Sequence, residues 1–164
     1  MKRFLKIISV GLLIIMVLVQ FIPRPQKNIS KETPISDITK VYPVPDSVYS
    51  ILKTSCYDCH SNNTNYPWYA SVQPLSLWMN HHIEEGKEEL NFSEFGKYAK
   101  EKQSEKLEEI EEVLKEDEMP LKAYTIVHGE AKLNKEQKEK IETWAHQTRT
   151  FLHTAKVNDK QDNP

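Results

Sequence analysis

Apolar residues recur at helical spacing in four stretches of the chain, and the alternation that marks strands is scarce. Val48, Ile51 and Leu52 follow Asp46 at i, i+3, i+4, which predicts a short helix capped by Asp46 and running into Cys56. Pro74 to Glu85 reads as a second helix closed by Gly86, with Leu75, Trp78, Met79 and His82 on its buried face. A helix entered near Ser104 carries Leu107, Ile110, Val113 and Leu114, and stops at Met119-Pro120 because proline forbids its continuation. Asn91 to Phe95 predicts a further short helical segment near Tyr98, with Ser93 as its cap. The last helix starts at Asn134 with Gln137 three residues on, a variant of the capping box, and turns Ile141, Trp144 and Ala145 inward, continuing towards Thr148 and Leu152. Leu121 to Leu133 reads as irregular. The pattern predicts an all-α domain in which the first and last of these helices cross.

Outside that domain the pattern changes. Lys2, Arg3 and Lys6 precede an apolar run from Ile7 to Ile22, the layout of an export signal. A helix from Phe4 to Ile22 reaches about 28 Å, near the roughly 30 Å hydrocarbon core of a bilayer. No small-x-small cleavage site follows it. Residues 1–22 are therefore expected to be an uncleaved signal-anchor, a transmembrane helix with its N-terminus in the cytoplasm. Residues 23–45 hold five of the nine prolines and read as an extended linker. The helical domain is expected over 46–152, and the polar end over 153–164 as a disordered tail.

The 164 residues carry a formal net charge of −2, which gives no footprint for nucleic acid and no general attraction to anionic lipid. The acids are not evenly spread. Between Glu101 and Glu118 nine acids face three lysines, a solvated helix face or a dock for a basic redox partner protein.

The chemistry is concentrated in Cys56-Tyr57-Asp58-Cys59-His60, which contains both cysteines of the chain. C-x-x-C-H is the attachment signature of c-type haem: two thiols at the spacing of the porphyrin vinyl groups, then an imidazole delivered beneath the iron. Two other readings of a C-x-x-C pair are weaker here. A redox dithiol belongs in a βαβ setting. A zinc site needs two more ligands, and His81 and His82 diverge by about 100° on a helix. Export suits the haem reading, because covalent haem attachment is expected on the outer side of bacterial membranes. The domain is accordingly expected on the periplasmic, extracytoplasmic side of the bacterial cytoplasmic membrane.

Tyr66-Pro67-Trp68-Tyr69 forms an aromatic group that packs either against the porphyrin or into ordinary core. Trp68 is the candidate contact, and Pro67 the candidate carbonyl acceptor for the His60 Nδ1–H. His81 and His82 are candidate distal ligands. Met119 is the better-placed one, a soft thioether released at the end of a helix, roughly sixty residues after His60.

These motifs, with Glu85-Gly86, Leu90-Asn91-Phe92-Ser93 and Met119-Pro120-Leu121, resemble the bacterial haem-binding domain family over roughly Val41 to Phe151. The resemblance implies a cytochrome c-like helical domain around a covalent haem. It implies Cys56 and Cys59 as attachment points, His60 as proximal iron ligand and Met119 as distal one. The function expected is that of a membrane-tethered monohaem cytochrome, a carrier of single electrons rather than an enzyme. A haem-dependent peroxidase or accessory subunit, a redox or gas sensor with a displaceable distal ligand, and a thiol oxidoreductase are the alternatives.

Overall fold

Asp46–Ser55 forms a helix whose apolar side, Val48, Ile51 and Leu52, is buried against the Ile141, Trp144 and Ala145 side of the last helix. The α-helices run α1 Lys2–Val19, α2 Ile38–Val41, α3 Asp46–Ser55, α4 Tyr57–His60, α5 Leu75–Glu89, α6 Lys100–Lys115, α7 Lys122–Val127 and α8 Lys135–Gln161. Single 3-10 turns span Trp68–Ser71, Phe92–Lys97 and Gly129–Ala131. The computed structural model describes residues 1–161, and side chains through residue 154. Among these residues there is no strand, so the domain is all-helical as expected.

α6 lies along α8, and Leu107, Ile110 and Leu114 join α3, α8, Phe92 and Phe95 in one core. The capping box of α8 forms in both directions: the Asn134 N–H donates to Gln137 Oε1 and the Gln137 N–H to Asn134 Oδ1, each at 2.9 Å. α3 begins differently from the expectation. Pro45 occupies the cap, and Asp46 enters the first turn, where its charge opposes the helix dipole without a side-chain hydrogen bond. α6 starts earlier than Ser104 and buries Gln103, whose Nε2 donates to the Tyr98 carbonyl at 2.7 Å. Its acidic face is not all solvent-facing, since Glu108 and Glu111 turn to Arg149 on α8.

The expected transmembrane helix is corrected by the structure. α1 ends at Val19, because Gln20 leaves the helix to exchange hydrogen bonds with the backbone of Gln73. With Lys2, Arg3 and Lys6 inside the helix, its uncharged part Ile7–Val19 extends only about 20 Å. Among the described residues no helix is long and apolar enough to cross a membrane.

The stretch 23–45 is not extended throughout. Asn28 bonds to Ser61, Thr64 and Tyr66, while Asp37, Ile38 and Tyr42 are buried. At the other end, α8 continues to Gln161 through most of the expected disordered tail; residues 162–164 lie outside the described residues. Leu121 to Leu133, expected to be irregular, holds α7 and a 3-10 turn.

α5 departs most from the expected pattern. It passes through Gly86 to Glu89 and leaves Leu75 and Trp78 nearly half exposed, while Ser76 and Ile83 turn inward. A Cβ on Gly86 would meet the Cys59 carbonyl oxygen at 3.0 Å. This glycine does not close the helix; it lets α5 lie against the backbone of α4.

Candidate functional site

The end of α3 and the single turn of α4 fold Cys56 to His60 into a hook. The Cys59 and His60 N–H groups both donate to the Cys56 carbonyl, at 3.2 and 2.9 Å. The second variable position, Asp58, clamps that hook to its surroundings. Its Oδ1 accepts the Asn65 N–H at 2.9 Å, its Oδ2 accepts the Tyr124 hydroxyl at 2.8 Å, and its carbonyl accepts the Thr64 hydroxyl at 2.6 Å. The first, Tyr57, stacks on Phe92 with ring centroids 5.1 Å apart.

This hook forms one side of a cavity of about 400 Å³ with mostly apolar walls, within the roughly 300–1,000 Å³ range of small-molecule and cofactor sites. α5 contributes Gly86 and Glu89, α6 contributes Lys106, Ile110 and Val113, and the segment after α6 contributes Met119, Pro120 and Leu121. Cys56, Cys59, His60 and Met119 therefore share one chamber.

His60 is held in one tautomer. Its Nδ1 lies 3.0 Å from the Leu90 carbonyl oxygen, which can only accept, so Nδ1 carries the proton and Nε2 keeps its lone pair. Burial lowers its pKa, against the opposing pull of the Leu90 and Gly86 carbonyls and the Glu89 charge. A neutral imidazole with a free Nε2 is the state a metal ligand requires.

The thiols are the reverse of activated. Burial, and then the charge of Cys59, pushes Cys56 up to about 12. Burial, and then Asp58, pushes Cys59 up to about 11. A thiol oxidoreductase needs its attacking cysteine lowered towards neutrality, so the structure disfavours that reading. Zinc fares no better: among the described residues no group of three or more His, Cys, Asp or Glu side chains is placed to hold a metal ion.

The aromatic group lies elsewhere. Trp68 is 82% exposed and lines no part of the chamber. The exposed ring instead meets Tyr69 edge-on, with centroids 5.9 Å apart. The Pro67 carbonyl accepts the Ala70 N–H at 3.1 Å rather than the imidazole of His60. Pro67 borders a small neighbouring cleft with Cys59, His82, Tyr124 and His128. His81 is exposed and pairs with Glu85, whereas His82 is half-buried and borders both the chamber and the cleft.

Residues 14–147 match the family model described as a haem-binding domain. The chain belongs to the haem-binding domain family. No curated protein and no solved structure matches it.

The chamber of this haem-binding domain suits that cofactor. Its walls are apolar where a porphyrin face needs them, both thiols lie in its lining, and the one imidazole with a fixed Nδ1–H stands beside them. Four participants escaped the sequence reading: the Leu90 carbonyl, Gly86, Lys106 and Tyr124. Tyr124 has the clearest role among them, joining α7 to the hook through Asp58. His128, expected at the surface, is half-buried between Tyr124, on which it stacks at 4.5 Å, and Tyr69, whose hydroxyl lies 2.5 Å from its Nε2.

Proposed function

We propose that this haem-binding domain holds its haem covalently, as c-type haem, and carries single electrons outside the cytoplasm. The observation that supports the reading is the placement of Cys56, Cys59, His60 and Met119 around one apolar chamber, with His60 Nε2 left free by the Leu90 carbonyl. Cys56 and Cys59 would supply the thioether links, His60 the proximal nitrogen and Met119 the distal sulfur. Bound haem supplies a one-electron Fe(II)/Fe(III) couple. The chain's own residues do the rest. Leu90 and Phe92 orient the imidazole, Ile110, Val113 and Leu121 line the chamber with hydrocarbon, and the thioether favours the reduced state. The basic residues and apolar run before Val19 fit an export signal, which supports the extracytoplasmic location. The partner would be a redox protein.

The test is the mass and absorption spectrum of the chain produced in a host that attaches c-type haem. The mass should rise by one haem, the ferric spectrum should be low-spin, and Met119→Ala should convert it to high-spin. An unmodified mass with both thiols titratable would overturn the proposal.

A second reading, a displaceable distal position serving a sensor or peroxidase, is favoured by His82, a possible proton donor bordering the same chamber. Ready cyanide binding by the unsubstituted ferric protein would select it.

A further inference from the structure

Lys106 is buried to 8% exposure in the wall of the chamber. It is the one lysine among the described lining residues, which include no arginine, whereas Asp58, Glu85, Glu89 and Glu109 supply four carboxylates. A lysine on a helix surface ordinarily extends its stem to keep the ammonium in water. Lys106 instead points its Nζ to Glu109 Oε2 at 2.6 Å, with Glu89 Oε2 at 3.7 Å, beyond hydrogen-bond reach. An ammonium has three donors, so Glu109 leaves capacity for a further acceptor at the chamber wall.

We propose that Lys106 is the anchor for a carboxylate of the chamber's ligand. The inference rests on the haem reading and deepens it. Haem is asymmetric, with an apolar vinyl edge and an edge bearing two propionates. Four carboxylates in the lining repel propionates, so the single buried ammonium selects where that edge lies. The cysteines hold the vinyl edge from α3 and α4, and Lys106 holds the carboxylate edge from α6. Together they give the macrocycle one orientation before any thioether forms.

The experiment titrates the full-length chain, prepared without attached haem, with haemin and with haemin dimethyl ester, whose propionates are capped. Binding is followed by Soret absorbance. Lys106→Gln should weaken haemin binding roughly tenfold, as expected for loss of a hydrogen bond between charged groups, and leave the diester unchanged. Lys106→Arg should restore haemin binding. An equal loss for both porphyrins, which a merely structural lysine would give, overturns the anchor, as does no loss for haemin. If the unsubstituted chain binds neither porphyrin, the haem reading itself fails and the anchor with it.

Discussion

The Gly86 Cα stands so close to Cys59 that an added Cβ would lie 3.0 Å from the cysteine's carbonyl oxygen and 3.2 Å from its Cβ. Both obstacles belong to the hook that carries His60, and the nearer one is backbone, which cannot swing aside. In an unencumbered helix interior, Gly→Ala stabilises by about 1 kcal/mol. Overpacking of this kind costs about 1–3 kcal/mol. Gly86→Ala should therefore lower stability by about 1 kcal/mol, read as a lower urea midpoint with an unchanged slope, and reduce the yield of haem-loaded protein. A raised midpoint would mean that α5 can move away from α4 freely.

That contact also explains what the sequence could and could not reveal. α3, α6 and α8 are placed by burying their apolar stripes, so Val48/Ile51/Leu52, Leu107/Ile110/Leu114 and Ile141/Trp144/Ala145 announce themselves by period. α5 is placed by backbone approach at Gly86 instead, so its most apolar stripe stays partly in water and periodicity misleads. The length of α1 was hidden for another reason: Gln20 ends the helix through a bond to Gln73, a residue distant in sequence. Within the site, Cys56, Cys59 and His60 were legible because their chemistry is contiguous. The Leu90 carbonyl has no side-chain signature, and Lys106 was masked by its acidic helix. Trp68 was misjudged because aromatic clustering carries no information about which side of a 3-10 turn faces out.

The thiols make the haem-free chain sensitive to alkali. Cys56 and Cys59 ionise at about 12 and about 11 when folded, against about 8.5 for a thiol in the unfolded chain. As pH rises, the unfolded state loses these protons first, so their contribution to stability is complete below about pH 8 and falls away between about pH 9 and 12. Urea midpoints at about pH 8 and 10.5 should show this decline. In Cys56→Ala/Cys59→Ala it should be smaller but not absent, because Tyr57 and Tyr124 are also pushed up, chiefly by burial. An identical decline in both proteins would show that the thiols are not protected by the fold.

Removing one hydroxyl should loosen the hook without disturbing the chamber's hydrocarbon. Tyr124→Phe keeps the ring stacked on His128 and deletes the 2.8 Å bond to Asp58. A hydrogen bond to a charged group contributes about 1.5–3 kcal/mol, and half-burial here reduces that to about 1 kcal/mol. The check is a double-mutant cycle with Asp58→Asn by urea denaturation. The two losses should fall short of adding, since each removes part of the same bond. Additive losses would mean that the Tyr124 hydroxyl prefers water.

Arg149 should be more consequential than its position on a polar helix face suggests. Its guanidinium lies 3.3 Å from Glu111 Oε1 and 2.7 Å from Glu108 Oε1, joining α8 to α6. Glu111 is the sensitive partner, because it is buried while its other neighbours are weaker: His146 at 3.6 Å and Lys115 at 4.0 Å. Breaking a fully buried pair from one side costs about 3–5 kcal/mol by stranding the remaining charge. Arg149 is one-fifth exposed, so Arg149→Met should cost about 2 kcal/mol. The loss should shrink at acid pH, where Glu111 takes up a proton and His146 becomes charged. Adding Glu111→Leu should recover most of it, since two apolar side chains at the α6–α8 seam replace a charge with hydrocarbon. If the double variant is as unstable as the sum of the singles, the Glu111 carboxylate is held by something other than Arg149.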